Sequence, residues 1–217
     1  MAKEPITAGL TLEREALAGG HTLIAGLDEA GRGAWAGPVA AAAVILPLDN
    51  DDLFDVLEGV TDSKRLRPEQ REALAPVIQE VALGWAVGRA TNLEIDEKGI
   101  IAATLLAMER ALRKLDLDPD YLLIDALTLP AAVMPLDRQR RIIKGDQLSL
   151  SIAAASILAK VARDDYMVGL DELYPEFGFA NHKGYGTREH QTNLTAHGPC
   201  RAHRHSFKPI LRWHKLI

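Results

Sequence analysis

Apolar runs of strand length alternate along the chain with longer stretches of helical period. His21–Leu27 is apolar and ends at Asp28-Glu29, which predicts a first strand. A glycine-rich turn, Gly31–Gly37, follows, and Val39–Leu46 is a continuous apolar run closed by Pro47, the pattern of a strand buried on both faces. Leu83–Ala90 predicts a third strand, Tyr121–Ile124 a fourth that ends in Asp125, and Arg140–Lys144 a fifth. Pro68 suits the first turn of a helix running to about Val81. Asn92 is the expected cap of a long helix through about Leu115, with an apolar stripe at Ile95, Ile100, Ala103, Leu106 and Ala107. Leu148–Val168 is alanine-rich and periodic, and Leu170–Leu173 and Thr187–Ala196 predict two shorter helices, the second capped by Thr187. The first three strands come in near-succession, which predicts antiparallel pairing, and the later ones alternate with helices, which predicts parallel pairing. The expected fold class is therefore α/β with a mixed sheet.

Composition adds bounds. The 217 residues are 47% hydrophobic and 25% charged, an ordinary globular balance in a chain long enough to bury a full core. No apolar run reaches the roughly 18 residues that span a bilayer, and the N-terminus has no apolar signal core, so neither a membrane nor secretion is expected. The single cysteine, Cys200, excludes an internal disulfide and suits the cytoplasm. The net charge of −5 argues at first against a polyanionic partner, but its distribution reverses the argument. From His182 to Ile217, seven basic residues stand against one acid, a local +6, which leaves −11 on residues 1–181. Another basic knot, Arg138, Arg140, Arg141 and Lys144, lies within that acidic part. Such asymmetry suits either a polyanion or a solvated basic face. The chain divides into an N-terminal extension (1–20), a body (21–181) and a basic segment (182–217).

Four acids stand out by position. Asp28 and Glu29 end one strand, Asp125 ends another, and Asp146 follows Lys144-Gly145 at a strand-to-helix junction. Strand ends are where α/β proteins place their chemistry. Such acids either cap the following turn or, acting together, offer the oxygen ligands that hard divalent ions take. Gly31-Arg32-Gly33 is a tight turn or a place where backbone amides approach a ligand. Asp62-Ser63-Lys64-Arg65 is a helix entry or a phosphate contact. Ser156 and Lys160 are spaced to reach one phosphate together, and the small residues Ala153, Ala154 and Ser156 would let their helix lie close on a sheet. Tyr185, set between glycines, either stacks on a sugar or base or is a half-buried turn residue. Cys200, His203 and His205 match no zinc spacing, and the histidine-rich stretch reads as basic surface.

Taken in order, Gly26-Leu27-Asp28-Glu29-Ala30-Gly31-Arg32-Gly33 with Ala36-Gly37-Pro38-Val39, Asp62-Ser63-Lys64, Ile124-Asp125, Lys144-Gly145-Asp146, Ala153–Asp164, Gly184-Tyr185-Gly186-Thr187 with His190, Gly198-Pro199 and His203–Phe207 resemble the type 2 ribonuclease H family, in its bacterial ribonuclease HII branch. The resemblance covers roughly residues 21 to 210. It implies a ribonuclease H-like fold, a five-stranded mixed sheet flanked by helices with a small C-terminal helical portion, in which 21–181 is the catalytic domain and 182–217 binds substrate. It implies that Asp28, Glu29, Asp125 and Asp146 are catalytic and hold Mg²⁺ or Mn²⁺ in a two-metal mechanism, with water attacking the phosphate in line. It places Gly31, Arg32 and Gly33 at the ribose 2′-hydroxyl, Tyr185 on the neighbouring deoxyribose and Lys64 on a phosphate. The implied activity is cleavage of the RNA strand of RNA–DNA hybrids and 5′ to single ribonucleotides in duplex DNA, leaving 3′-hydroxyl and 5′-phosphate ends. The sequence shows no obligate protein partner, and a monomer is expected. A silent hybrid-binding module and a DNA nuclease of related fold are the rival expectations. The chain departs from the family pattern at Ala34-Trp35, where proline often follows Gly-Arg-Gly, and at Ala126-Leu127, where Gly-Asn often follows the aspartate.

Overall fold

The computed structural model describes residues 7–213. Its strands are β1 (Ile24–Ala30), β2 (Val39–Ile45), β3 (Gly84–Ala90), β4 (Tyr121–Asp125) and β5 (Gln139–Ile142). They form one sheet in the order β3-β2-β1-β4-β5, antiparallel from β3 to β1 and parallel from β1 to β5, as the spacing of the apolar runs predicts. The helices are α1 (Thr11–Ala18), α2 (Leu53–Val56), α3 (Pro68–Val81), α4 (Asn92–Lys98), α5 (Ile100–Leu112), α6 (Leu150–Leu173), α7 (Phe179–His182), α8 (Arg188–His197) and α9 (Lys208–Leu211). None of the described helices is long and apolar enough to cross a membrane.

The two-residue period of the strands sorts the core into two layers. Ala42 and Val44 of β2 share one cluster with Ala153, Ala154 and Ile157 of α6, while Ala41, Ala43 and Ile45 share another with Ala103, Ala107 and Met108 of α5. β2 is buried at every position, which is why it carries no polar residue. The α6 backbone rests directly on β1, because a Cβ at Gly26 would lie 2.2 Å from the carbonyl carbon of Ser151. Glu13 of α1 is fully buried at the start of α6, where its Oε1 accepts from Ser149 Oγ at 2.6 Å and Ser151 N at 2.9 Å. An acid suits that end of a helix, with its unpaired N–H groups.

Several boundaries differ from those the sequence predicts. β1 continues through Asp28 and Glu29, because β2 pairs with it as far as Ala30↔Ala40. The long helix expected over 92–115 is two: Gly99, at φ +79°, ends α4 and starts α5. Thr91 rather than Asn92 caps α4, accepting from Glu94 N, because the Asn92 amide instead donates to Arg201 O and His203 O. β5 stops at Ile142, with Lys144 turning left-handed at φ +58°. Leu170–Leu173 is the last turn of α6 and no separate helix. Residues 7–20 are built into the body: Leu150 N donates to Gly9 O and Gly59 N to Thr7 Oγ1. The chain beyond α6 buries Phe177, Phe179, Leu194 and Ile210 against Met167 and Leu170 of that helix. Residues 1–6 of the expected extension, and His214 and Lys215 of the basic segment, lie outside the described residues.

Gly26 is where this packing is least forgiving. Overpacking a core costs about 1–3 kcal/mol, and the obstacle here is helix backbone, so Gly26→Ala is expected to reach at least the upper figure. A urea titration checks this; an unchanged midpoint would show that α6 can move aside.

Candidate active site

The parallel register of β1 and β4 ends at Leu27↔Ile124. One residue further on each strand stand Asp28 and Asp125, which parallel pairing places side by side on one face. β1 then runs on beside β2 alone, so the two acids sit where the sheet opens. Asp125 Oδ1 accepts from Gly145 N at 2.8 Å, tying the strand end to the turn Gly145–Gln147 that carries Asp146. Asp28 Oδ1 accepts from Glu29 N at 2.7 Å, and Glu29 Oε1 accepts from Arg32 at 3.2 Å. Lys64 Nζ reaches Asp146 at 3.8 Å. Asp62 joins the same group: its Oδ1 accepts from Lys64 N at 3.0 Å and its Oδ2 from Gln147 Nε2 at 3.3 Å.

Crowding and burial raise the pKa of three of these acids, Asp28, Glu29 and Asp146. Burial, then the charges of Glu29 and Asp125, raises Asp28 well above the ordinary aspartate value. Burial also raises Glu29, against the pull of Arg32. Asp146 is pushed up to about 6 by burial and by Asp62 and Asp125. Burial alone would lower Lys64, but the attraction of Asp28, Asp146, Asp62 and Glu29 together outweighs it and the ammonium is raised. The donor set fits a hard divalent ion: it is all oxygen, excess in negative charge, and includes Glu29 Oε2, a buried atom with no partner. Among the described residues, no three His, Cys, Asp or Glu side chains already close on a common point as a finished cage.

A cleft of about 480 Å³ opens beside the acids and brings together Glu29, Gly31, Arg32, Gly33, Lys64, Lys160 and Tyr185. The Tyr185 ring is half-buried, with Lys160 Nζ 5.5 Å and the Arg163 guanidinium 5.3 Å from its centroid. Ser156 does not join them. It is 1% exposed and its Oγ accepts from Ser63 N at 3.1 Å, so the expected phosphate contact is corrected: burial under the Ser63–Arg65 turn makes Ser156 a support for that turn. A separate cavity of about 380 Å³, lined by Glu109, Arg113 and Met134 among others, contains none of the expected residues.

Two buried arginines that the motifs did not single out bind the loops around Gly31–Pro38 and Lys183. Arg163 donates from Nε to Pro38 O (3.1 Å) and from Nη2 to Ala36 O (3.3 Å) and Lys183 O (3.0 Å). Gly31, at φ +94°, rests on it: a Cβ there would fall 1.9 Å from Arg163 Nε. Arg204 donates to Gly37 O, Arg32 O and Pro38 O, each at 2.9 Å. Arg71 likewise holds Ser63 O and Leu66 O. The basic surface expected of the histidine-rich stretch is corrected as well. His182, His190 and His203 are buried with Phe177 and Phe179, whose rings pack against them. Their only sequence signal was spacing among aromatics and glycines, which says nothing about burial. The two departures from the family pattern lie at the loops. Trp35 N donates to Gly184 O at 2.8 Å, and Ala126 takes φ +51°, a left-handed conformation that favours glycine.

A family model described as Ribonuclease HII matches residues 25–210. The chain belongs to the ribonuclease HII family. A ribonuclease HII of Desulfitobacterium hafniense is 53% identical over 207 residues, which cover 95% of this chain and 76% of that protein. The crystal structure of the ribonuclease H2 from Pyrococcus horikoshii matches with a TM-score of 0.75 at 27% identity, over 90% of this chain and 98% of that one. Bst ribonuclease HIII, crystallised in complex with Mn²⁺, shares the fold with a TM-score of 0.65 at 20% identity, over 90% of this chain and 70% of that one. As a ribonuclease HII, the chain is a ribonuclease H-type endonuclease and a hydrolase. Its family depends on divalent metal and acts on RNA–DNA hybrids.

An ion that neutralises the acids should stabilise this ribonuclease HII. An acid with a raised pKa destabilises the folded state as pH rises from its ordinary value through the raised one, here to about 6 for Asp146. At an ion concentration about 100 times Kd, the gain is about 2.7 kcal/mol, or roughly 5–10 °C in Tm. Mg²⁺ or Mn²⁺ should raise Tm by that order above pH 6 and by less below it, where protons compete. Asp28→Asn should raise the Tm of the metal-free protein and remove most of the metal-dependent rise. A wild-type Tm indifferent to both ions would refute the ion-holding role.

Proposed function

We propose that the enzyme cuts the RNA strand of RNA–DNA hybrids and also cuts 5′ to a single ribonucleotide in duplex DNA, leaving 3′-hydroxyl and 5′-phosphate ends. The observation that carries this reading is the shared cleft: Glu29 of the acid cluster, the Gly31–Gly33 loop and Tyr185 line one space. A chemical centre and a sugar-sized recognition surface are thereby within reach of one nucleotide step.

Asp28, Glu29, Asp125 and Asp146 would hold the ions, with Asp62 adding negative charge beside Asp146. When bound, two Mg²⁺ or Mn²⁺ ions supply the Lewis acidity that phosphodiester hydrolysis needs. The remaining roles belong to the chain itself. The 31–33 backbone reads the ribose 2′-hydroxyl, and it can do so closely because Gly31 and Gly33 carry no side chain. Arg204 holds this loop by the Arg32 carbonyl. Tyr185 lays its ring on the next sugar, and Lys160 and the exposed Lys64 meet phosphates on either side. Recognition by the glycine loop and Tyr185 addresses a sugar rather than a base, so sequence preference should be weak. The segment from His182 onward takes part through Tyr185. The enzyme works as a monomer in the cytoplasm.

A single gel tests the proposal, with a continuous hybrid, a duplex carrying one ribonucleotide and an all-DNA duplex, each with Mg²⁺ or Mn²⁺. The first two should be cut and the third left intact; equal cutting of all three would mean that the 2′-hydroxyl is not read. Asp125→Asn should lose on the order of a hundredfold or more in kcat on both cut substrates. Tyr185→Ala should lose about tenfold more on the single ribonucleotide than on the hybrid. Equal losses would remove its junction role.

A further inference from the structure

The loop that carries Tyr185 is held by three buried histidines, and their hydrogen bonds leave one arrangement of protons. At one end, Cys200 N donates to His203 Nδ1 at 3.0 Å. A backbone amide can only donate, so that nitrogen is bare. A proton on it, aimed at the Cys200 carbonyl 3.3 Å away, would collide with the same N–H. The Cys200 thiol, with Sγ 3.2 Å from Nδ1, is a second donor to it. His203 therefore carries its proton on Nε2, which faces His190 Nε2 at 3.0 Å. His190 must accept there and carry its own proton on Nδ1, 3.0 Å from the Tyr185 carbonyl oxygen. A carbonyl can only accept, so the far end agrees with the near one.

His182 grips the loop from the other side. Its Nδ1 accepts from Gly184 N at 3.1 Å, its Nε2 donates to Phe177 O at 2.9 Å, and its ring stacks on His190 at 4.4 Å and 11°. The neighbouring backbone groups are also taken: Lys183 O by Arg163, Gly184 O by Trp35 N, and Tyr185 N by His182 O. All three imidazoles are needed neutral for this pattern. Burial agrees, holding His190 down at about 4 and His203 at about 3.

We propose that His203 and His190 form a one-way hydrogen-bond relay, braced by His182, whose task is to position Tyr185 at the sugar beside the ribonucleotide. These are positioning residues, since His190 and His182 touch the Tyr185 backbone, His203 acts through His190, and none of them touches the reacting atoms. The proposal rests on the reading of Tyr185 given above. It goes beyond that reading by assigning discrimination between substrates to a buried, uncharged network behind the cleft.

The test uses the full chain. Long-range proton–nitrogen NMR of the histidine rings should find the proton of His190 on Nδ1 and those of His182 and His203 on Nε2; the opposite form at His190 overturns the relay. For kinetics, His190→Asn offers an amide N–H near the place of Nδ1, whereas His190→Gln offers one near Nε2. On the single-ribonucleotide duplex His190→Gln should lose about tenfold more kcat/KM than on the continuous hybrid, the worth of one buried hydrogen bond. His190→Asn should recover most of that difference. Equal losses on both substrates that follow the fall in Tm, with no recovery in His190→Asn, would reduce the relay to a fold-stabilising role and overturn the proposal. Tyr185→Ala, run alongside, separates the two failures. If it spares the substrate ratio, the sugar reading has failed; if it changes the ratio and His190→Gln does not, the relay has failed.

Discussion

The pairing of β1 with β4 ends one residue before two aspartates, and the rest of the site follows from where that leaves them. Asp28 is buried beside the half-buried Asp125, whose charge raises it further, and Glu29 and Asp146 add to the same region. Burial and like charge both favour protons over bare carboxylates. The fold keeps this arrangement because helix α6 lies hard against β1 at Gly26, and the turn before that helix is tied to Asp125. Lys64 and Arg32 offset part of the charge without closing the region, since Lys64 stands 3.8 Å from Asp146 and Glu29 Oε2 has no partner. What remains is an excess of negative charge that small cations can relieve.

The glycine-loop and Tyr185 side of the cleft is built on the opposite sign. Arg163 and Arg204 are wholly buried, and among the described residues neither makes an ion pair. Burying a guanidinium without an acid is costly. It is tolerated here because each planar fork meets several carbonyls at once, a geometry that an ammonium cannot match. Pro38 O accepts from both. The two arginines thereby join the turns at 31–33, 36–38 and 183–185 into one rigid surface. Burial and the neighbouring Arg163 bring Arg204 down to about 9. The cleft thus has acids at one wall and buried cations behind the other.

Much of this was legible from the residues. Strand periodicity predicted five strands and their mixed pairing, and the acids at strand ends were visible as acids at strand ends. The motif order pointed to the family. Errors arose where a local rule met a distant partner. Thr91 capped α4 because Asn92 was taken up by Arg201 and His203, more than a hundred residues away. β1 ran past Leu27 because β2 kept pairing with it. Ser156 looked like a phosphate ligand by its spacing from Lys160, but spacing on a helix does not say which residues the next loop will cover.

The charge pattern shows the division most clearly. By itself the sequence determined the chemical inventory: acids after apolar runs, glycines around an arginine, a tyrosine between glycines, and a basic, histidine-rich end to an acidic chain. It determined the strands too, because a period of two and the length of an apolar run are local properties. Only the tertiary structure decided what each charge does. Arg204 and three of the histidines, counted along the chain as basic surface, lie inside the protein as loop anchors and neutral hydrogen-bonding groups. The reason is physical: burial, and with it a group's protonation and its choice of partner, depends on which distant segments pack over it.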